Sequence, residues 1–179
     1  AGGAERAVDA VVFCTGFQIV DQPAPFSVIG RDGVDLRDAW ADEARAYLGT
    51  TVPGYPNLFL VTGPNTGLGH NSMIYMMEAQ FEYIVDALRT LRARRLRYAD
   101  LRREVLAAFA DEMERRALGT TWRSGCKSWY QTADGINFAI WPKSTWKYWL
   151  ETRKVNEADY DWVKCRAGSK VRQVSNAAV

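Results

Sequence analysis

Short apolar runs and longer amphipathic stretches alternate along the first half of the chain. Residues 9–14 and 57–62 are predominantly apolar and lack the two-residue alternation of a half-exposed strand. Such runs are typical of strands that are covered on both faces of a parallel sheet. Glycine or proline follows both runs within a few residues and breaks the strand direction there. The pattern predicts two buried strands of an α/β fold.

Two amphipathic helices are predicted after the second strand. The first has apolar residues at steps of three and four over 73–91, with Asn71 or Ser72 as its N-cap. The second is predicted from an N-cap at Asp100 to Leu118. A shorter helical patch is predicted within residues 36–48, between segments rich in turn residues.

The predicted sheet is incomplete within this sequence. Open parallel sheets have about four to six strands, and only two strands of this type are predicted here. We therefore expect further strands upstream and interpret the chain as the C-terminal part of a larger α/β protein. Residues 1–97 are expected to belong to the sheet-bearing domain and 98–163 to a helix with a tryptophan-rich, loop-rich segment. Residues 164–179 are expected to form a disordered tail.

Composition narrows the classes of function. The 179 residues are 47% hydrophobic and 12% aromatic, which is enough for a core and excludes global disorder. A net charge of +2 is too small to indicate a nucleic acid or membrane surface as partner. No apolar run approaches the roughly 18 residues of a membrane span. The three cysteines are far apart and form no zinc or disulfide pattern, which favours a reducing, cytoplasmic compartment.

The segment Gly63 to Ser72, with the sequence G-P-N-T-G-L-G-H-N-S, carries the strongest candidate chemistry. Its glycines allow close approach of a ligand, and the unpaired N–H groups of the following helix favour an anion or a carbonyl oxygen. Gly67-x-Gly69-x-x-Ser72 resembles the glycine fingerprint of dinucleotide-binding domains, G-x-G-x-x-G. It is not such a fingerprint, because Ser72 stands where the third glycine is required. An ordinary strand-to-helix turn explains these residues equally well. His70 is the only histidine, so neither a catalytic triad nor a metal site is predicted.

Three motifs resemble flavin monooxygenases. D-A-V-V-F-C-T-G-F at 9–17 resembles a motif of flavoproteins that have two dinucleotide-binding domains. The segment 63–72 followed by I-x-x-M-x-E-A-Q is similar to the Baeyer–Villiger-type enzymes, and so is S-W-Y with G-x-N, W-P and W within residues 128–146. The order and spacing agree from about residue 8 to residue 163.

This resemblance implies an oxidoreductase that uses FAD and NADPH to insert one oxygen atom of O2 into a ketone or aldehyde through a C4a-peroxyflavin. It also implies that the chain is the C-terminal part of an FAD/NAD(P)-binding Rossmann-like domain with an aromatic C-terminal segment. The family's glycine fingerprints and its catalytic arginine and aspartate would lie upstream. We therefore expect no catalytic residue in this chain and no activity of the chain alone. The implied partners are a small carbonyl substrate, O2 and the upstream part of the polypeptide.

The resemblance also implies which residues form the site. The helix start would offer backbone N–H groups to the pyrimidine edge of the flavin, and one tryptophan would contact the nicotinamide nucleotide. The implied cofactor-binding residues are Thr15, Gly16, Asn71, Ser72, Met73 and Trp129. The implied substrate-pocket residues are Asn65, Thr66, Gly67 and Leu68.

Two other functions remain open at this point. A flavin enzyme that hydroxylates nitrogen or sulfur atoms shares the first motif, although it is not expected to carry the tryptophan-rich tail. A non-catalytic interaction module would instead use the aromatic segment to bind a partner. Two glycine fingerprints upstream would decide for an oxidoreductase.

Overall fold

The computed structural model describes residues 5, 7–13, 26–123, 131 and 135–165. Four helices and two strands follow one another along this part of the chain, with 3₁₀ turns at Thr121–Arg123 and Glu157–Asp159. In chain order they are α1 (Leu36–Ala39), α2 (Met73–Ala93), β1 (Leu96–Leu101), α3 (Arg103–Ala117), α4 (Thr145–Glu151) and β2 (Tyr160–Lys164).

Helix α2 is the long element that supports the candidate site. It begins after Ser72, whose backbone is extended (φ −75°, ψ 124°), and it ends before Arg95, which adopts a left-handed conformation (φ 52°). The predicted helix and its predicted N-cap Ser72 are confirmed. One face is buried and includes Met76 and Tyr83.

The opposite face of α2 carries exposed apolar residues among charged ones. Four residues at helical spacing are 41–66% exposed among the described residues: Ile74, Phe81, Val85 and Leu88. The periodicity therefore predicted the helix but not which of its apolar residues are buried. We call these four residues the outer stripe.

Strands β1 and β2 form an antiparallel pair that the sequence did not predict. Leu101 pairs with Tyr160 and Leu96 with Lys164, with an irregularity between Leu96 and Tyr98. The predicted N-cap role of Asp100 is wrong, because Asp100 lies within β1 and helix α3 begins at Arg103. Asp100 is 4% exposed and accepts the Gly54 N–H at 2.8 Å.

The two predicted strands are not strands in the described part of the chain. Residues 7–13 form no ladder, and Val12 and Phe13 are 81% and 83% exposed. Residues 58–61 have no regular secondary structure and are half-buried, and their backbone N–H groups bond to the Tyr55 carbonyl (from Leu58, 3.1 Å) and the Thr50 carbonyl (from Leu60, 2.8 Å). A strand needs a neighbour that pairs with its backbone repeatedly along its length, and within the described residues neither run has such a ladder. The predicted helical patch at 36–48 is helical only in α1.

Aromatic residues fill the core between α2, α3 and α4. Trp141 is 1% exposed and meets the edge of Tyr148, with ring centroids 4.9 Å apart, and stacks on Phe109 at 6.5 Å. Tyr83 and Tyr160 share a hydrogen bond of 2.6 Å, and Tyr160 also bonds to the Thr51 hydroxyl (2.9 Å). A smaller cluster under α1 packs Leu36, Trp40, Ala46, Val52 and Tyr55 together.

The expected division of the chain stays a prediction. The boundary at 97/98 falls inside β1, and one core cluster takes residues from both sides of it. Lys164 ends β2, whereas the rest of the expected tail, 166–179, is outside the described residues. In the part of the chain that the structure describes, no helix combines the length and apolar character needed to cross a bilayer.

Candidate functional site

The candidate site is the glycine segment 63–72 and the start of α2. The segment begins in a close backbone contact with the turn at 48–50. A Cβ atom on Gly63 would lie 2.3 Å from the Gly49 carbonyl oxygen, and one on Gly49 would lie 2.1 Å from the Thr66 methyl group. Gly49 also has a positive φ of 61°. These positions require glycine because no side chain fits between the two backbones.

The middle of the segment pairs with residues 137–141. Gly67 N–H donates to the Ala139 carbonyl (2.8 Å), and Trp141 N–H donates to the Gly67 carbonyl (2.9 Å). Asn65 Nδ2 donates to the Asn137 carbonyl at 3.0 Å. The tryptophan-rich segment thus holds the glycine segment through its backbone, so the second and third sequence motifs meet in space.

The start of α2 presents backbone donors. Its N-cap Ser72 makes no side-chain capping bond, and the first turn contains no acidic residue. The first N–H groups of an α-helix have no partner within the helix and carry about half a positive charge. The N–H of Ser72 itself is accepted by Asn71 Oδ1 (2.8 Å), which leaves Met73 as the first helical donor. His70, Asn71 and Ser72 are exposed.

The Asn71 side chain also connects the start of α2 to the start of α4. Asn71 Nδ2 donates to Thr145 Oγ1 (2.8 Å), and Thr145 is the first residue of α4. The Trp122 ring approaches the segment from another side, because a Cβ on Gly69 would lie 2.2 Å from it. The site is therefore bounded by α4 and by the 3₁₀ turn that contains Trp122.

The predicted substrate-pocket residues are largely engaged with the protein. Thr66 is 1% exposed and its hydroxyl donates to the Gly63 carbonyl (2.6 Å). Leu68 packs against the main core, and Asn65 and Gly67 bond to 137–141 as described above. Their role toward substrate stays a prediction.

Two tyrosines that share a hydrogen bond, Tyr83 and Tyr160, are buried in the core behind α2. Burial raises the pKa of Tyr160 to about 12, and hydrogen bonds from Thr51 and Tyr83 oppose that rise. Burial also raises the pKa of Tyr83, and its neighbour Tyr160 raises it further. These phenols are neutral at physiological pH and act as hydrogen-bonding groups. No cluster of histidine, cysteine or acidic residues within the described ranges could hold a metal ion.

Some site residues were predicted and others were missed. Thr15, Gly16 and Trp129 lie outside the described ranges, so their roles stay predictions. The structure brings Asn71, Ser72 and Met73 together at the start of α2. Gln80 and Thr145, which support this end, were not predicted. Gln80 lies at helical spacing from the apolar Met76 and Ile84, and an amide on that apolar face is a signal that could have identified it.

Comparison with known proteins gives a family. A Baeyer–Villiger monooxygenase of Pseudomonas aeruginosa is 44% identical over 161 residues, which are 88% of this chain and 30% of that protein. The chain is related to the Baeyer–Villiger monooxygenases. Another such enzyme, from Streptomyces coelicolor, is 38% identical over 183 residues, covering 99% of the chain and 35% of the enzyme. Other relatives are FAD-binding monooxygenases.

The structural comparison agrees with the relationship to Baeyer–Villiger monooxygenases. A steroid monooxygenase bound to NADP superposes with a TM-score of 0.68 at 25% identity, over 78% of this chain and 26% of that protein. No family model matches the sequence. The chain thus spans 30–35% of the length of these two Baeyer–Villiger relatives.

Proposed function

We propose that this chain forms the flavin-edge part of an FAD- and NADPH-dependent monooxygenase that inserts one atom of O2 into a ketone or aldehyde. The observation that carries this proposal is the start of α2, where uncapped backbone donors follow a glycine segment held on two sides. The relationship to Baeyer–Villiger monooxygenases supports the same function.

The donor set at this helix start fits the pyrimidine edge of a flavin. That edge carries carbonyl oxygens and becomes negatively charged when the flavin is reduced. Backbone N–H groups and the helix dipole stabilise such a charge, and the first turn of α2 has no carboxylate to oppose it. Gly67 and Gly69 hold the turn that precedes these donors close to the rest of the protein, because the Ala139 carbonyl and the Trp122 ring occupy the space that a side chain would need.

The bound flavin supplies electron transfer from NADPH and the activation of O2. The residues of this chain orient that group and stabilise its charge. The Met73 N–H and the next two N–H groups of α2 are the donors that would hold the flavin edge. Asn71 holds the turn that leads into the helix by bonding to Ser72 and Thr145.

Further residues are assigned by the resemblance alone. Thr15 and Gly16 are proposed to lie close to the FAD, and Trp129 to contact the nicotinamide nucleotide. Residues 65–68 are proposed to line the substrate pocket through their backbone, since the Thr66 side chain is buried. The glycine fingerprints and the catalytic arginine and aspartate belong, on this proposal, to a part of the polypeptide outside these residues.

The test uses the flavoprotein that carries this chain. The purified protein should show a flavin spectrum and oxidise NADPH faster when a ketone is present. The product should be the ester or lactone, with one labelled oxygen atom when the reaction uses isotopically labelled O2. Hydroxylamines or sulfoxides from amines or sulfides, without esters from ketones, would favour the alternative hydroxylase. Absence of any bound flavin would contradict both and favour an interaction module.

A further inference from the structure

Gln80 is fully buried in α2, and its side-chain amide joins α2 to two other segments, the turn at 48–50 and Thr62. Its Oε1 accepts the Thr62 N–H (2.9 Å), and its Nε2 donates to the Gly49 carbonyl (3.1 Å) and to the Thr50 hydroxyl (3.0 Å). Both amide hydrogens and one lone pair are therefore used. A buried polar group that is paired in this way resists displacement, because each lost partner leaves an unsatisfied group behind.

The bond from the Thr62 N–H to Gln80 fixes the position at which the glycine segment begins. Thr62 is the residue immediately before Gly63, and the segment returns to α2 at Met73. Met73 precedes Gln80 by seven residues, which is about 10 Å along a helix axis. Gln80 therefore fixes where the segment starts relative to where the helix starts. Thr62 also has a left-handed backbone (φ 57°), a conformation that persists only where neighbouring contacts hold it.

The bond from Gln80 to the Gly49 carbonyl fixes the position of the turn against which the glycine segment packs. The Gly49 carbonyl that accepts from Gln80 is the same carbonyl that packs against Gly63, at 2.3 Å from where a Cβ would stand. A movement of this carbonyl would move Gly63 as well. The Thr50 hydroxyl, which also donates to the Leu48 carbonyl (3.0 Å), keeps this turn in place.

We infer that Gln80 is a positioning residue for the flavin: it sets the glycine segment against the start of α2 so that both meet the pyrimidine edge of the same ring. This inference rests on the proposed function. Gln80 itself does not contact the cofactor, because it is fully buried two helical turns beyond the exposed helix start. It acts through Thr62 and Gly49.

The test compares three variants of the flavoprotein that carries this chain. Gln80→Met keeps the side-chain length and removes all three bonds. Thr50→Val is a milder variant, because it removes one partner and leaves the bonds to Thr62 and Gly49. Asp100→Asn is the matched control: it perturbs a buried polar group that bonds to Gly54 and Arg31 and touches neither Gln80 nor Thr62. The readouts are amide hydrogen exchange over 62–75 without flavin, the Kd for FAD, and the flavin midpoint potential.

Gln80→Met should increase exchange over 62–75, raise the Kd for FAD about tenfold and shift the midpoint potential. Thr50→Val should change the same quantities in the same direction by less, which tests the inference even if Gln80→Met does not fold. Asp100→Asn should leave all three unchanged. Equal effects of Gln80→Met and Asp100→Asn would overturn the inference. So would the absence of any effect from both Gln80→Met and Thr50→Val. Either outcome would leave the proposed function standing. A wild-type protein without FAD would overturn the proposed function, and the inference with it.

Discussion

Asn71 and Thr145 join the starts of two helices. Asn71 Nδ2 donates to the Thr145 hydroxyl at 2.8 Å, while Asn71 Oδ1 accepts the Ser72 N–H at the same distance. One side chain therefore fixes both the turn into α2 and the contact with α4. The tryptophan-rich part of the chain, which contains α4, reaches the candidate flavin edge through this amide.

A double-mutant cycle should detect this contact. Asn71→Ala, Thr145→Val and the double variant should give a coupling energy of about 0.5–1.5 kcal/mol, the usual net worth of one hydrogen bond. The cycle cancels the separate loss of the Asn71–Ser72 bond, because that loss occurs in both variants that lack Asn71. Urea unfolding measures the free energies. A coupling energy near zero would mean that solvent satisfies both groups equally well.

The backbone donor of Met73 is testable by a proline substitution. Proline fits the first position of a helix, and Ser72 before it is already extended, so Met73→Pro should fold. It removes one N–H from the proposed flavin edge, which should weaken FAD binding or slow flavin reduction by an amount equivalent to about 1–3 kcal/mol. Stopped-flow absorbance measures the reduction rate.

Met73→Leu is the control for that experiment, because it changes the side chain and keeps the N–H. The two variants should differ in flavin reduction or FAD retention. If they behave alike, the start of α2 does not meet the flavin.

The close contact between Gly49 and Thr66 predicts a difference between two glycine substitutions. Gly49 and Gly33 both have positive φ, of 61° and 80°, so alanine costs about 1 kcal/mol of backbone strain at each. A Cβ at Gly33 meets nothing within 4 Å, whereas one at Gly49 overlaps the Thr66 methyl group. Gly49→Ala should therefore lower the free energy of unfolding by clearly more than Gly33→Ala. Equal losses of stability for the two variants in thermal unfolding would show that the segment 63–72 moves away from the new methyl group at no cost in free energy.

The buried tyrosines predict a loss of stability at high pH. The pKa of Tyr160 is about 12 in the folded protein, and a tyrosine in the unfolded chain titrates near 10. The folded state therefore holds its proton where the unfolded state releases it. Stability is fully present below about pH 10 and falls by about 1.4 kcal/mol per pH unit for this group as the pH rises toward 12.

Tyr160→Phe should separate the two contributions of this hydroxyl. At neutral pH the variant should be less stable by about 1–3 kcal/mol, because Thr51 and Tyr83 lose a buried partner. Between about pH 10 and 12 its stability should decline less steeply than that of the wild type. Urea midpoints at several pH values measure both effects. A parallel decline would exclude Tyr160 as the titrating group.

Local patterns predicted some elements and could not predict others. The start of α2 was readable because glycine, asparagine and serine precede a long amphipathic run. Strand β1 was not readable, because Asp100 has a helix-capping side chain and its actual partners, Gly54 and Arg31, are 46 and 69 residues away. The runs at 9–14 and 57–62 have the composition of strands, but a strand also needs a paired neighbour. Local sequence cannot specify that neighbour.

The same limit applies to the candidate site. Its exposed donors follow from the helix start alone, so Asn71, Ser72 and Met73 could be identified before the fold was known. The support from Gln80 and Thr145 depends on contacts between distant segments. The cofactor-binding roles of Asn71, Ser72 and Met73 stay predictions. The same holds for Thr15, Gly16 and Trp129.

Helix α2 carries large apolar residues on two sides, so these residues alone do not fix its rotation about its own axis. Turning the helix by half a turn would bury the outer stripe in place of Met76, Ala79 and Ala87, and it would bury the charged Glu78 with that stripe. Gln80 and Tyr83 remove that ambiguity, since such a turn would leave their buried partners unsatisfied. Polar side chains on both sides thus select a single rotational setting: Gln80 and Tyr83 by the partners they keep inside, and Glu78 by the charge it keeps in solvent.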